Sequence, residues 1–222
     1  MSTQRLSKRL MQQIQCSRSE AERYILAGFV QVDGQAIDLP QHEVADQQQV
    51  TLAPNAKLID IEPMTLLANQ VEADLFLNKD NHWTQDTSNQ PILNAHFMRL
   101  KKSLPLPANC TGLQVFSQDW RTQRKLNDDA QRLEQEFILT TEQTDFALAV
   151  IQKQSVFAHA KISWQNEWHI RLAMKKPPQD IVALLTKLGL KLTDAKRIRI
   201  GGISLGKVPD NQWRYMRFNE RF

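Results

Sequence analysis

The chain has 222 residues, a net charge of +4 and an apolar fraction of 41%. That length can bury a real core in one or two domains, and the composition excludes a disordered chain. Two cysteines as far apart as Cys16 and Cys110 exclude a disulfide framework or a cysteine-based zinc site. No early apolar run has the form of a signal peptide and none is long enough to span a membrane, so the expected location is cytoplasmic, with no membrane partner.

From Leu6, apolar residues recur at Leu10 and Ile14, one face of a helix. Ser17 stands three residues before Glu20, the spacing of a capping box, and opens a second helix with Ala21, Tyr24 and Ile25 on its apolar face. Gly28 is placed to end it. Val30 and Val32 alternate as in a strand, Asp33-Gly34 is a hairpin turn, Ala36-Ile37 starts the return, and Val50 and Leu52 complete the module. Five basic residues (Arg5, Lys8, Arg9, Arg18, Arg23) face only two acidic ones between Arg5 and Leu26. Arg5, Lys8 and Arg9 fall off the apolar stripe, and Arg18 sits at a helix N-terminus, a favourable phosphate position. A solvated helix face is the plainer account of the same charges.

Ala53 to about Glu72 has two prolines and little period, and reads as a connection. Beyond it Leu75-Phe76-Leu77 begins a strand, followed by a strand at Leu113–Phe116, a helix at Asp119–Leu126, a strand at Phe137–Leu139 and a helix at Asp145–Ile151. Val156–Trp164 and Trp168–Met174 form a hairpin, with Trp168, Ile170 and Leu172 on one face. Pro177-Pro178 opens a helix carrying Ile181, Leu184, Leu185 and Leu188, ended by Gly189. Arg197-Ile198-Arg199-Ile200 is a strand with alternating basic and apolar faces. The class is α+β. His42, His82, His96, His159 and His169 show no metal-ligand spacing.

The opening R-L-x-K, the C-S-R-x-E-A and the G-x-V-x-V-D-G of residues 5 to about 52 resemble the S4 RNA-binding domain. The resemblance makes Arg5, Lys8, Arg9, Ser17, Arg18 and Arg23 RNA contacts that read backbone and shape. Four later runs resemble the S4-domain ribosomal-RNA pseudouridine synthases of the RsuA type: Leu77-Asn78-Lys79, Thr111 to Asp119, Glu134-Gln135-Glu136-Phe137, and Lys196 to Gly206 with Gln212-Trp213-Arg214. This implies a small S4 (αL-like) domain at 1–58 and, at 59–222, a mixed, largely antiparallel sheet with flanking helices. It further implies a monomer acting on RNA, ribosomal RNA or a ribosome precursor foremost, without cofactor or metal.

The family isomerises uridine with one aspartate in an R-L-D-x-x-[TS]-x-G-L motif and stacks an aromatic ring on the base. In this chain Pro107 occupies the aspartate position and Phe137 that of the stacking aromatic, and no Asp or Glu lies between Asp86 and Asp119. The run at Lys176 to Ala183 lacks the family's arginines, and the chain has only 7 glycines, few for its length. Arg197 and Arg199 are candidate RNA contacts in the cleft. The expectation is an RNA-binding pseudoenzyme. The alternatives are an active synthase using a displaced carboxylate, Asp119 or Asp86, and a protein-interaction adaptor. For Asp119 an N-cap role is the plainer account.

Overall fold

A computed structural model describes residues 3–222. Two compact units emerge: the chain up to Pro63 together with Pro91–Arg99, and Met64–Gln90 together with Leu100–Phe222. Among the described residues no helix is long and apolar enough to cross a membrane.

In the first unit β1 (Thr3–Arg5) runs into α1 (Leu6–Ile14), and α2 covers Arg18–Leu26. Leu6 and Leu10 are fully buried with Ala21 and Ile25, as the apolar spacing requires. Ser17 caps α2 reciprocally with Glu20: its hydroxyl accepts from the Glu20 N–H at 3.3 Å, and its own N–H donates to the Glu20 carboxylate at 2.8 Å. Strands β2 (Val30–Val32), β3 (Gln35–Ala36), β4 (Glu43–Ala45) and β5 (Val50–Leu52) follow. They make a three-stranded sheet β3-β2-β5 and a separate β1-β4 pair. Asp33 and Gly34 both have positive φ, as the tight turn demands. The Asp33 carboxylate also accepts the Gln49 N–H at 2.8 Å and the Gln48 amide at 2.9 Å. Asp38, 8% exposed, accepts two hydrogen bonds from Asn94, from its N–H at 2.7 Å and its side-chain amide at 2.6 Å.

The second unit is built on nine strands: β6 (Thr65–Gln70), β7 (Lys101–Ser103), β8 (Thr111–Ser117), β9 (Glu134–Thr141), β10 (Lys161–Trp164), β11 (His169–Lys175), β12 (Leu192–Ile200), β13 (Ile203–Ser204) and β14 (Trp213–Tyr215). The main order is β10-β11-β9-β12-β8-β6-β14, with β13 on β12 and β7 on β8. Only β8 and β12 pair in parallel, so the sheet is mixed, as expected. Helices α3 (Trp120–Asn127), α4 (Ala149–Gln152) and α5 (Ile181–Lys187) flank it. One core gathers Phe137, Leu139, Ile170, Leu172, Ile181 and Leu185, and a second gathers Leu67, Leu113, Val115, Leu126 and Ile200.

Four expectations are corrected. The stretch read as connection contains β6, whose six residues are all buried; a strand covered on both faces shows no alternation. Leu75–Leu77 is not a strand, and the Phe76 ring is 76% exposed. The expected helix at Asp145–Ile151 shrinks to the single turn of α4, and Ser155–Phe157 ahead of β10 is a 3-10 turn rather than strand.

Candidate functional site

The loop from Leu104 to Cys110 joins β7 to β8. Leu104 and Asn109 have left-handed φ values of 48° and 59°. The Ala108 N–H donates to the Gln179 carbonyl at 2.7 Å, and the Cys110 N–H to that of Pro107 at 3.1 Å. Pro107 is buried. Gly112, at φ 101°, lies opposite Arg197 in the parallel β8–β12 pair, and a side chain there would drive into the Arg197 backbone.

Arg197 holds this loop. It is fully buried, and it donates to the carbonyls of Leu113 (2.8 Å), Leu104 (2.9 Å) and Pro105 (3.4 Å) and to the side-chain oxygen of Gln135 (2.8 Å). All four acceptors are uncharged. Burial pushes the guanidinium pKa down to about 9, still above neutral, so the cation persists at pH 7. Burial pushes the Cys110 thiol up to about 11, against the opposing pull of the Arg197 charge.

Arg197 is therefore not a surface contact, contrary to expectation. Alternation should put Arg197 and Arg199 on one face, but a bulge intervenes: Arg197 pairs with Phe137, while Arg199 pairs with the preceding residue, Glu136. The extra residue turns Arg199 to the opposite face. There Glu136, 2% exposed, ion-pairs with both Arg171 and Arg199, and Glu134 pairs with Lys161 at 2.9 Å. Burial would raise the Glu136 carboxyl, but the bonds and charges of Arg171 and Arg199 outweigh it and hold it below the ordinary glutamate range. Sequence reasoning missed Arg171 and Glu136; their alternation within two paired strands was the available signal. Phe137 is fully buried in the core among Leu172 and Met174, so its ring offers no open face to a base.

The displaced-carboxylate candidates are both engaged elsewhere. The Asp119 side chain caps α3, accepting from the Arg121 and Thr122 N–H groups at 3.3 and 3.0 Å and from the Thr122 hydroxyl at 2.7 Å. Asp86 has 1% side-chain exposure and accepts from the Tyr215 N–H (2.9 Å), the Ser88 N–H (2.9 Å) and hydroxyl (3.0 Å), and it bonds the His82 ring (3.1 Å). Burial alone would raise its pKa; these hydrogen bonds outweigh it and lower it.

In the first unit Arg5, Lys8, Arg9 and Gln12 stand at helical spacing on the side of α1 away from buried Leu6 and Leu10. Arg5 and Arg18 line one indentation with Ser7, Glu22, Pro40 and Gln41. Arg9 lies in a separate groove of about 480 Å³ with Gln13, Gln48 and Gln49. Arg18 pairs with Glu22 at 2.8 Å and Arg23 with Asp60 at 3.0 Å. The Ser17 hydroxyl is occupied in its cap. The expected basic surface is thus two neighbourhoods, with Arg23 committed to an acidic partner.

The sequence matches no family profile and no curated protein. Among solved structures the chain is similar to one described as the crystal structure of a pseudouridylate synthase, with a TM-score of 0.54, 15% identity, and coverage of 96% of this chain and 95% of that one. The likeness spans nearly the full length of both chains and establishes the architecture: this chain has the mixed α+β fold of a pseudouridine synthase.

Proposed function

We propose that this is an RNA-binding protein of the RsuA type that has kept the pseudouridine synthase scaffold and lost the isomerisation chemistry. The carrying observation is the state of the loop before β8. Where the chemistry calls for a carboxylate the loop has buried Pro107, and the buried cation behind it, Arg197, is met by three carbonyls and an amide. Proline can neither attack a sugar nor move a proton. The burial of Phe137 supports the same reading, since it withdraws the stacking ring. The engagement of Asp86 and Asp119 speaks against a displaced catalytic carboxylate.

RNA binding is assigned to the first unit, read as an S4 domain, through Arg5, Lys8, Arg9 and Arg18, with Ser17 and Arg23 in supporting positions and Arg199 as a further contact on the sheet. The target is ribosomal RNA or a ribosome precursor, bound by a cytoplasmic monomer without cofactor. Two measurements test this. Affinity for ribosomal RNA should fall linearly on a log–log plot against salt, because phosphate contacts release counterions, and a flat dependence would reject RNA binding in favour of an adaptor. A pseudouridine map of ribosomal RNA should be the same in cells with and without the protein. A single site lost in its absence and restored by the wild-type chain would overturn the loss of chemistry.

A further inference from the structure

The second unit has a cleft that the loop at Pro107 does not line. It lies where β9 begins, β10 begins and β11 ends, and has a volume of about 680 Å³. Its rim carries Lys161, Lys175 and Lys176, with the imidazole of His159 beside them. Its floor includes Met174 and the half-exposed Val156. Glu134 is the lining carboxylate, and it is matched by Lys161 at 2.9 Å. Lys175 and Lys176 are exposed and carry no ion pair among the described residues. Val156 also lines a recess of about 250 Å³ with Leu184 and Lys187 of α5 and Leu188 just after it. The two hollows share Val156 in their linings, and each has lysines at its edge beside apolar side chains.

We propose that the two hollows form a track for a single-stranded segment of RNA, one nucleotide in the larger cleft and its neighbour toward Lys187. The inference rests on the RNA-binding reading above and extends it to lysines that reading does not use. The cleft volume suits a nucleotide-sized group. Lysines provide mobile point charges for phosphates without fixed geometry, and the exposed apolar surface of Val156 takes a base face of any identity. A strand held this way is bound by backbone charge and contact area, so the track is not sequence-specific.

The test uses the full chain and two fluorescent RNA probes: a blunt hairpin, and the same hairpin with a single-stranded oligouridine tail. Lys175→Gln combined with Lys176→Asn removes the two unpaired charges, and asparagine suits the left-handed backbone at residue 176 (φ 50°). The wild type should bind the tailed probe more tightly. The double variant should bind that probe roughly tenfold more weakly, with a salt slope shallower by about 1.4, at about 0.7 per lost single-strand phosphate contact. Its blunt-hairpin affinity and melting temperature should not change. Equal weakening on both probes, no change on either, or a wild type indifferent to the tail overturns the track while leaving hairpin binding intact. A wild type that binds neither probe rejects the RNA reading itself. Polyglutamate competing as well as oligouridine of equal charge reassigns the track to an acidic polypeptide.

Discussion

Nη1 of Arg197 donates to Oε1 of Gln135 at 2.8 Å, so a guanidinium without exposed surface is paired with a neutral amide. Its other acceptors are the Leu104 and Pro105 carbonyls of the loop it supports and the Leu113 carbonyl of β8. Arg197→Met leaves those carbonyls unpaired and is expected to cost about 2–4 kcal/mol in urea unfolding. Gln135→Glu supplies the missing negative charge and is expected to stabilise by about 1 kcal/mol. A destabilised Gln135→Glu protein would show that the carbonyls already compensate the cation in full.

Gly112→Ala is expected to be among the most damaging substitutions in the chain. The added methyl would stand 2.9 Å from the Arg197 nitrogen and closer still to its carbonyl oxygen, at a φ of 101° that side chains rarely adopt. Both neighbours are backbone in the parallel β8–β12 pair, so neither can swing aside. A loss of about 4 kcal/mol or more, or failure to accumulate in soluble form, is the expected result. A variant with wild-type melting behaviour would mean that the two strands can part locally.

Acid should destabilise the second unit, with no loss of stability near neutral pH. Glu136 and Asp86 are held below their ordinary values of 4.5 and 3.8 in the folded chain. A depressed folded pKa means that the unfolded chain binds more protons as pH falls, so their contribution is present above the unfolded values and disappears as pH drops through the folded ones. The urea midpoint should be level from about pH 7 to 5 and fall below about pH 4.5. Glu136→Gln should start lower and fall less steeply; an identical acid profile would remove Glu136 from the account.

Asp119 and Asp86 should behave as structural carboxylates of different weight. Asp119→Ala removes a partly buried helix cap and is expected to cost about 1 kcal/mol. Asp86→Asn removes a buried acceptor of several hydrogen bonds and is expected to cost about 2–3 kcal/mol. Neither should change the pseudouridine map. A site that vanished with Asp119→Ala but returned with Asp119→Glu would give that carboxylate a chemical role.

Local signals carried well where one physical rule governed a short stretch. The capping box at Ser17 and Glu20, the Asp33-Gly34 turn and the Asp119 cap are all decided within four residues, and all are legible. The spacing of Ile181 and Leu185 likewise placed α5 against the core. β6 was not legible, because a strand buried on both faces has no period to detect. Arg197 was misplaced for a subtler reason: the bulge before Arg199 depends on pairing with β9, and nothing in Arg-Ile-Arg-Ile announces an extra residue. The absence of a carboxylate beside Pro107 was plain in the sequence, whereas the uncharged cradle around Arg197 required the tertiary pairing of distant strands.

The return of Pro91–Arg99 to the first unit makes the chain pass between the units three times: after Pro63, after Gln90 and after Arg99. The N-terminal module is therefore not a bead that one cut releases. A fragment ending near residue 63 would leave out Asn94 and strand the Asp38 carboxylate, 8% exposed, without its two amide donors. An isolated N-terminal fragment starts with that deficit, and exchanging the module between relatives would mean transplanting two separate pieces of sequence together.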